Sequence, residues 1–535
     1  MRWKTLLQPR LDAPLPLWMI FPVVFTALYV SHFTLLNVPY YWDEAGYYIP
    51  AAWDFFRTGS LIPITTLTNA HPPLPSIYLA LWWRVAGFSP EVTREAVLMV
   101  ASLALLAVWR LAMRLIGVAS VAFWTVALTA LYPIWFAQSS LAHADIFAAA
   151  CTLWALVYAL PDRNRKPWMA ALWFAAAALC KETSIATPLT LALICVVESL
   201  RVTAPIRWRL LRSAAWYASC TLPLALWYGW HYFKTGFLFG NPEYLRYNAQ
   251  ATLDLMRILA AFGHRLLHLT AHMNLFVPVL MAFAALLLKP RIDADGNQRA
   301  TINSRSVQMI FLLLLADAVA FSVLGGALLT RYLLPMYPLV LLLAVATWYR
   351  RVPFWPGLGV LSAAAFVLGL LINPPYGFAP EDNLAYAHIA RLQQRGIAEL
   401  NKRYPDATVL TAWPMTDELT RPELGYLIEP FDVYRLNDFT AAEIARAADA
   451  PEKYSAALVF STKYDPQSTL FNLGAKSKAM DERYFGLHRD LPPEEIAREL
   501  GGTLVWQGKD QGQWVALIRF KRQLEARLEY EDAPL

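Results

Sequence analysis

The sequence predicts a polytopic α-helical membrane protein that ends in a soluble α/β domain. The 535 residues are 57% hydrophobic and only 16% charged. Their mean hydropathy of +0.36 lies far above that of soluble globular proteins. The apolar residues form repeated long runs up to residue 372, whereas the rest of the chain is polar. We therefore expect most of the chain to lie in lipid and its last part in water.

The apolar runs are long enough for membrane-spanning helices. Such a helix needs about 20 mostly apolar residues, because its backbone polar groups must pair within the segment. The eleven predicted spans are residues 15–36, 95–116, 118–136, 145–160, 168–180, 184–200, 212–232, 271–288, 306–326, 332–349 and 353–372. The first run is too long for a signal peptide and lacks a small-residue cleavage site, so we expect an uncleaved anchor.

Clusters of basic residues between the spans predict the orientation, because short cytoplasmic loops are enriched in Lys and Arg. These clusters are the N-terminus, Arg110 and Arg114, and residues 163–166, 201–212, 289–305 and 350–351. All of them face the cytoplasm if the spans alternate and the apolar stretch 74–87 lies in the extracytoplasmic interface. The C-terminus is then extracytoplasmic, and we expect the protein in the inner membrane of a bacterium. The net charge of +6 reflects these topology signals, so no nucleic-acid partner is expected.

This topology divides the chain into two predicted domains. Residues 1–372 form the membrane domain, with long extracytoplasmic loops at 37–94 and 233–270. A polar linker at 373–382 leads to a soluble domain at 383–535, which has a normal size for one domain.

Alternating strand and helix patterns predict that the soluble domain is α/β. Strands are expected at 407–413, 456–461, 503–506 and 513–520, with a hairpin near the end. Residues 440–443 have the form of a capping box that opens a helix. All four cysteines lie in apolar runs, which excludes a disulfide framework in this domain.

Seven ionisable residues share one side of the predicted topology. Such side chains are costly at membrane depth, so their common location favours a functional site. Each one alone can also be a helix-end residue that reaches the aqueous interface. The seven are Asp43, Glu44, His71, His143, Asp145, Lys181 and Arg331.

An extracytoplasmic site needs a reaction that works without soluble nucleotides, and the sequence contains no Walker-type phosphate loop. A lipid-linked sugar phosphate meets this requirement because it arrives within the bilayer. Transfer of its sugar needs a carboxylate to accept the proton of the acceptor and cations to stabilise the leaving phosphate. The seven residues include both kinds of group.

The motifs around these residues resemble the GT-C glycosyltransferases. They are residues 41–48 (YWDEAGYY), 71–74 (HPPL), Asp145, Lys181 and 331–335 (RYLLP). The nearest group includes bacterial protein O-mannosyltransferase-like enzymes, the lipid A aminoarabinose transferase and dolichyl-phosphate-mannose-protein mannosyltransferases. The resemblance covers roughly the first 370 residues. It implies a GT-C fold and inverting transfer of a sugar from a polyprenyl-phosphate donor to a lipid, glycan or protein acceptor.

The resemblance implies roles for the acids at matching positions. Asp43 is then the acid of the first external loop that acts as base or organises the site, with Glu44 beside it. Asp145 matches the second external acid. A divalent metal ion is a candidate cofactor, with Asp43 and His71 as candidate ligands.

The same resemblance places Lys181, Arg331 and His71 near the donor phosphate. His143 and Tyr332 are further candidates for the site. The sequence departs from the family pattern in two places, since Glu182 follows Lys181 directly and His143 adds an imidazole two residues before Asp145.

Structural alternatives remain open for these residues. Asp43 can be the N-cap of the following helix. Lys181 and Arg331 can extend from helix ends to the membrane surface. His71 can begin a turn fixed by the prolines that follow it.

A second histidine pattern lies in the loop at 233–270 and just beyond it. His264, His268 and His272 recur every four residues and share one face of a helix. This spacing is compatible with a metal or phosphate site. We favour an interfacial helix that presents polar tips to lipid headgroups, because no acid accompanies this row of histidines.

Two other function classes compete with a glycosyltransferase. A transporter or flippase of lipid-linked substrates also uses many spans and intramembrane charges, but it typically has repeats and binds at mid-membrane. A non-catalytic scaffold that presents the soluble domain would not need the pairing of Asp43 with Asp145.

The topology predicts that residues after Ala379 are extracytoplasmic. A reporter that is active only after export should therefore be active when it is fused after Leu535. Activity of a reporter that works only in the cytoplasm, fused at the same position, would contradict the topology.

Overall fold

The computed structural model describes residues 16–68, 70–160, 165–240, 253–292, 296–324, 328–464, 474–485 and 489–520. Parts of several predicted features lie outside these residues. They are the basic N-terminus with residue 15 of the first span, the start of the basic cluster at 163–166, the middle of the loop at 233–270, residues 293–295 of the cluster at 289–305, residues 325–326 of the span at 306–326, and parts of the C-terminal domain including its end.

The first part of the chain is helical, as its apolar runs predict. The helices in the first half of this part are α1 Leu17–His32, α2 Ile49–Thr58, α3 Leu74–Ala86, α4 Pro90–Leu115, α5 Ala119–Leu131, α6 Pro133–Gln138, α7 Ala144–Ala159 and α8 Pro167–Cys180. Those in the second half are α9 Ala186–Ser199, α10 Ile206–Ser219, α11 Thr221–Thr235, α12 Leu255–Thr270, α13 Phe276–Leu286, α14 Ser304–Val323, α15 Tyr337–Arg351 and α16 Trp355–Leu371.

All eleven predicted spans contain a helix, which confirms a multi-pass helical membrane protein. The stretch at 212–232 is divided between α10 and α11. Within the described residues, four helices are long and apolar enough to cross a bilayer alone, and α12 with α13 would add a fifth across a 99° bend. The apolar helices α5, α7, α8 and α16 are shorter. The number of spans therefore stays a prediction.

Helix α4 lies at the centre of the membrane domain. It packs against α1, α5 and α7, and 78% of its most apolar stretch is buried. Small side chains line these contacts, because helices in lipid associate through close packing and not through a hydrophobic driving force. The fully buried alanines of α4 are Ala96, Ala101, Ala104, Ala107 and Ala112.

The C-terminal part forms a five-stranded mixed sheet in the order β2-β1-β3-β5-β4. Its strands are β1 Val409–Ala412, β2 Val433–Leu436, β3 Ala456–Phe460, β4 Gly502–Asp510 and β5 Gln513–Phe520. Strand β1 is parallel to β2 and β3, whereas β4 and β5 form an antiparallel hairpin. The helices are α17 Ala385–Arg403, α18 Met415–Thr420, α19 Ala441–Ala448, α20 Gly474–Phe485 and α21 Pro493–Glu499.

The predicted α/β class of this part is confirmed, and α17 packs its apolar face on β4 and β5. The sequence did not predict strand β2, because the strand has only four residues and most of them are only partly buried or exposed. Helix α19 begins at the predicted place, but the predicted capping box is wrong. The hydroxyl of Thr440 donates to Asp438 Oδ1 at 2.6 Å, and Glu443 accepts from the backbone N–H of Asn437 at 3.0 Å.

The C-terminal sheet docks directly onto the first loop of the membrane domain. Trp413 follows β1, and its ring centroid lies 5.2 Å from that of Trp42 and 5.7 Å from that of Tyr47. The carboxyl ends of parallel strands usually form a ligand-binding crevice in open α/β sheets. Here the side chain at the end of β1 packs instead against the loop of the same chain.

Polar contacts strengthen this docking. Tyr426 Oη donates to the carbonyl of Tyr40 at 3.0 Å, and Arg421 Nη2 donates to the carbonyl of Thr65 at 2.5 Å. The C-terminal part therefore restrains the backbone of the loop at 37–94 at two separate places.

Gly46 tests this contact, because a Cβ atom there would lie 2.6–2.9 Å from the Trp413 ring. Gly46→Ala should lower the free energy of unfolding by about 1–3 kcal/mol, the usual cost of overpacking. Thermal unfolding of the purified protein in detergent measures the effect.

Gly229→Ala is the matched control, because a Cβ atom at this helical glycine has no neighbour within 4 Å in the described part of the chain. Equal midpoints of unfolding for the two variants would show that Trp413 does not pack on Gly46.

Candidate active site

The backbone turns sharply where the first loop presents its two acids. Trp42 has φ of +50°, a conformation that residues other than glycine rarely adopt. A π-helical turn, Glu44–Tyr48, follows Asp43 directly. Both features concentrate at functional sites, where surrounding contacts stabilise an unfavourable local conformation.

Arg331 lies at the centre of a buried ionic cluster, which we call the Arg331 cluster. Its Nη2 contacts Asp43 Oδ2, its Nη1 contacts Glu381 Oε1, and its Nε lies 3.3 Å from Asp145 Oδ2. Lys181 Nζ donates to Asp145 Oδ1 at 2.5 Å. The structure thus brings together four residues that the sequence predicted for the site, and it adds Glu381.

Burial differs among the members of this cluster. The side chains of Arg331, Asp145, Glu381 and Lys181 are at most 8% exposed, whereas that of Asp43 is 21% exposed. An incoming molecule can therefore reach Asp43 most easily. The other four groups form the floor of the site, where low solvent access strengthens their electrostatic effect.

Aromatic rings line the cationic side of the cluster. Lys181 Nζ lies 4.1 Å above the centre of the Tyr332 ring, a favourable cation–π arrangement. Tyr332 stacks on Phe321, and the Arg265 guanidinium lies 5.7 Å from the Tyr332 ring. The face of the Tyr332 ring therefore stabilises the ammonium group of Lys181.

Glu44 belongs to a different ion pair. Arg94 contacts both of its carboxylate oxygens, and both side chains are fully buried. The backbone N–H groups of Tyr41 and Ala142 donate to the same carboxylate at 2.9 and 2.5 Å. Glu44 therefore connects the first loop to the segment before α7, and this arrangement favours a structural role over the predicted catalytic one.

His71 lies beside the Arg331 cluster and not within it. Its Nδ1 is 2.9 Å from Glu182 Oε2, and its ring stacks with Tyr48 at 5.7 Å. The two rings line a small pocket together with Ala144 and Trp227. Glu182, which follows Lys181 and departs from the family pattern, is thus the partner of His71.

The candidate metal ligands, Asp43 and His71, have separate partners. Arg331 contacts Asp43, and Glu182 contacts His71. Within the described residues, no group of three or more His, Cys, Asp or Glu side chains could hold a metal ion. The donor set around the two candidates therefore does not fit a metal centre.

His143 is a neutral, buried member of the surroundings. Its Nδ1 is 2.9 Å from Gln138 Oε1. Burial lowers the pKa of this imidazole well below its usual value, and the nearby charges of Arg331 and Lys181 lower it further. His143 therefore cannot add a positive charge to the site near neutral pH.

The histidine row in α12 and the turn after it has an acid partner that is distant in sequence. Ring centroids are 6.4 Å apart between His264 and His268 and 5.3 Å apart between His268 and His272. His272 Nε2 lies 2.8 Å from Asp382 Oδ2. The reason given for headgroup contact, the absence of an acid, was therefore wrong at His272.

Sequence reasoning missed Glu381, Asp382 and Arg94. Glu381 and Asp382 lie in the predicted linker, where two adjacent acids in a polar stretch carry no distinctive signal. Arg94 ended the predicted loop and was not considered as a partner. Each of these residues meets its partner across 50 or more positions of the chain.

Comparisons with known proteins agree with this architecture. A family model described as dolichyl-phosphate-mannose-protein mannosyltransferase matches residues 70–227. The chain is similar to the crystal structure of ArnT from Cupriavidus metallidurans bound to undecaprenyl phosphate, with a TM-score of 0.55 and 14% identity over 94% of this chain and 97% of that chain.

The apo state of the same ArnT gives a TM-score of 0.51 and 15% identity over 94% of this chain and 98% of that chain. ArnT is a GT-C glycosyltransferase. The chain has the GT-C fold. No curated protein sequence matches the chain. The GT-C fold predicted from the motifs is therefore confirmed, whereas identities this low carry no information on the substrate.

Within this GT-C fold, the two adjacent acids should respond differently to loss of charge. Glu44→Gln leaves the Arg94 guanidinium buried without a counter-charge, which typically costs about 3–5 kcal/mol. Asp43→Asn should cost clearly less, because Asp43 is partly exposed and Arg331 keeps two other acids. Thermal unfolding in detergent compares the two variants. A larger loss of stability in Asp43→Asn would contradict the structural role of Glu44.

Proposed function

We propose that the protein is an integral-membrane glycosyltransferase with an extracytoplasmic active site. It transfers a sugar from a polyprenyl-phosphate donor to a lipid, glycan or protein acceptor, with inversion at the anomeric carbon. The observation that carries the proposal is the Arg331 cluster, in which one partly exposed acid, Asp43, adjoins the buried cations Arg331 and Lys181.

The relatives support the class of donor. The similar ArnT structure contains undecaprenyl phosphate, and the matching family model names dolichyl-phosphate-mannose. Undecaprenyl phosphate is a polyprenyl phosphate, and dolichyl-phosphate-mannose carries its sugar on a lipid of the same class. A donor of this kind reaches the site within the bilayer, so that the reaction needs no soluble nucleotide.

Asp43 is the proposed general base. Arg331 contacts its Oδ2, which leaves Oδ1 for the hydroxyl group of the acceptor. The acceptor oxygen attacks the anomeric carbon while its proton moves to Asp43, and the bond from that carbon to the phosphate oxygen breaks. The polyprenyl phosphate leaves with the electron pair. A single displacement of this kind inverts the anomeric configuration.

Lys181 and Arg331 are the proposed partners of the leaving phosphate. Negative charge grows on the phosphate as the glycosidic bond breaks, and fixed cations in a buried site stabilise this charge in the transition state. Asp145 contacts both cations, at 2.5 Å from Lys181 Nζ and 3.3 Å from Arg331 Nε. Asp145 therefore sets the separation of the two cations and orients them.

Removal of the charge at Asp43 should abolish most of the transfer. Asp43→Asn should reduce the rate by about 10²- to 10⁴-fold, the usual contribution of a general base. The assay uses purified protein in detergent, a panel of labelled polyprenyl-phosphate sugars, and acceptors extracted from cells that lack the protein. Mass spectrometry of the labelled product identifies the sugar and the acceptor.

Glu91→Gln is the matched control for this assay. Glu91 is an exposed acid of the same predicted loop, in the first turn of α4, and its replacement should leave transfer near the wild-type rate. Full transfer by Asp43→Asn would exclude Asp43 as the base. Movement of the donor across vesicles by the wild type, without any sugar transfer, would indicate a transporter instead.

A further inference from the structure

We propose that Glu381 is a positioning residue of the active site and that it acts in its protonated form. It holds the Arg331 guanidinium in place without neutralising it, so that the charge of Arg331 remains available to the donor phosphate. The proposal rests on the proposed transfer reaction and assigns a role in it to the linker of the C-terminal domain.

The linker holds Glu381 firmly at the Arg331 cluster. Glu381 lies in a 3₁₀ turn, Pro380–Asp382, between α16 and α17. Its carbonyl accepts from Gln138 Nε2 at 3.4 Å. The next residue, Asp382, lies 2.8 Å from His272 and accepts a hydrogen bond from Thr330, the residue before Arg331. Both partners of the Glu381–Arg331 contact are thus fixed by their chain neighbours.

Glu381 and Asp43 bind different terminal nitrogens of the same guanidinium group. Glu381 contacts Nη1 of Arg331, and Asp43 contacts Nη2. The side chain of Glu381 is only 5% exposed, compared with 21% for Asp43. Glu381 therefore acts on Arg331 from the protein side, where it does not compete with an acceptor for space.

The charges of the cluster do not balance if every acid is ionised. Asp43, Asp145 and Glu381 would carry three negative charges against the two positive charges of Arg331 and Lys181. A sugar phosphate would then bring further negative charge into a buried site that is already negative, which is costly. One proton in the cluster makes it neutral before the donor binds.

Glu381 is the acid best placed to hold this proton. Asp145 has two cations as neighbours, and Asp43 is partly exposed to solvent, whereas Glu381 is buried and shares Arg331 with both other acids. Burial raises the pKa of Glu381, Arg331 lowers it and the nearby acids raise it, which together give a pKa of about 8.

The titratable groups around Glu381 come from several elements of the fold. Arg331 contacts Glu381 directly, and Asp43 and Asp145 bind the same guanidinium. The other groups are Asp382, which is next in the chain and has His272 as its partner, and Tyr41 in the first loop. Burial raises the pKa of Tyr41 well above 10, so it stays neutral. Asp382 has its own partner in His272.

The protonation state of Glu381 determines how strongly Arg331 can attract the donor phosphate. A neutral Glu381 still accepts a hydrogen bond from Nη1 through its carbonyl oxygen, and it leaves the guanidinium charge uncompensated from that side. An ionised Glu381 would add a third negative charge to the cluster and repel the phosphate. As the pH rises through about 8, Glu381 loses its proton and binding of the phosphate should weaken.

The test compares Glu381→Gln, Glu381→Ala and the wild type between pH 6 and 10. The wild type should lose kcat/KM for the donor as the pH rises through about 8. Glu381→Gln mimics the protonated acid, so it should keep transfer within about threefold at neutral pH and should not show this loss. Glu381→Ala should lose about tenfold or more at every pH, because Arg331 is no longer held.

Binding of undecaprenyl phosphate provides a second readout that does not depend on transfer. The affinity of the wild type should fall between pH 7 and 9.5, whereas that of Glu381→Gln should change little. The control variant Glu429→Gln, an exposed acid of the C-terminal part, should follow the wild type in both assays.

Three outcomes would overturn the proposal. In the first, Glu381→Gln is as inactive as Glu381→Ala, which would mean that the ionised acid is required. In the second, the alkaline loss of activity persists in Glu381→Gln. In the third, wild-type affinity for undecaprenyl phosphate is equal at both pH values. Absence of sugar transfer by the wild type with every donor would instead refute the proposed function itself.

Discussion

The guanidinium of Arg331 joins parts of the chain that are far apart in sequence. It contacts acids from the first loop, from the start of α7 and from the linker to the C-terminal sheet. A buried cation is tolerated only when several partners compensate for lost water. Each of these three segments must therefore reach its place before the cluster is stable, and the cluster in turn fixes the geometry of the site.

The C-terminal part belongs to the site and is not an independent appendage. Trp413 packs on the first loop close to Asp43, and the linker supplies Glu381 to Arg331. The loop itself has an unfavourable backbone conformation at Trp42. A conformation of this kind persists only when surrounding contacts determine it, and the packing of Trp413 together with the Glu44–Arg94 pair provides such contacts.

The two adjacent acids of the first loop belong to different ion pairs and differ in burial. Glu44 is fully buried with Arg94 and holds the loop against the segment before α7, whereas Asp43 remains partly exposed at the Arg331 cluster. One sequence motif thus contains a buried residue that supports the backbone and a residue that remains accessible at the cluster. Helix α4 carries Arg94 and forms the packed centre of the membrane domain. The Glu44–Arg94 pair therefore attaches the first loop to that centre.

The sequence by itself determined the membrane class, the α/β class of the C-terminal part, the GT-C fold and most members of the candidate site. The two classes follow from the length of apolar runs and from local periodicity, whereas the GT-C fold and the site residues follow from the resemblance of short motifs to a known family. Only the tertiary structure decided that Glu44 pairs with Arg94, that Glu182 pairs with His71 and that the linker reaches Arg331. Such pairings join residues separated by tens to hundreds of positions, and no local pattern encodes which charges meet when the chain folds.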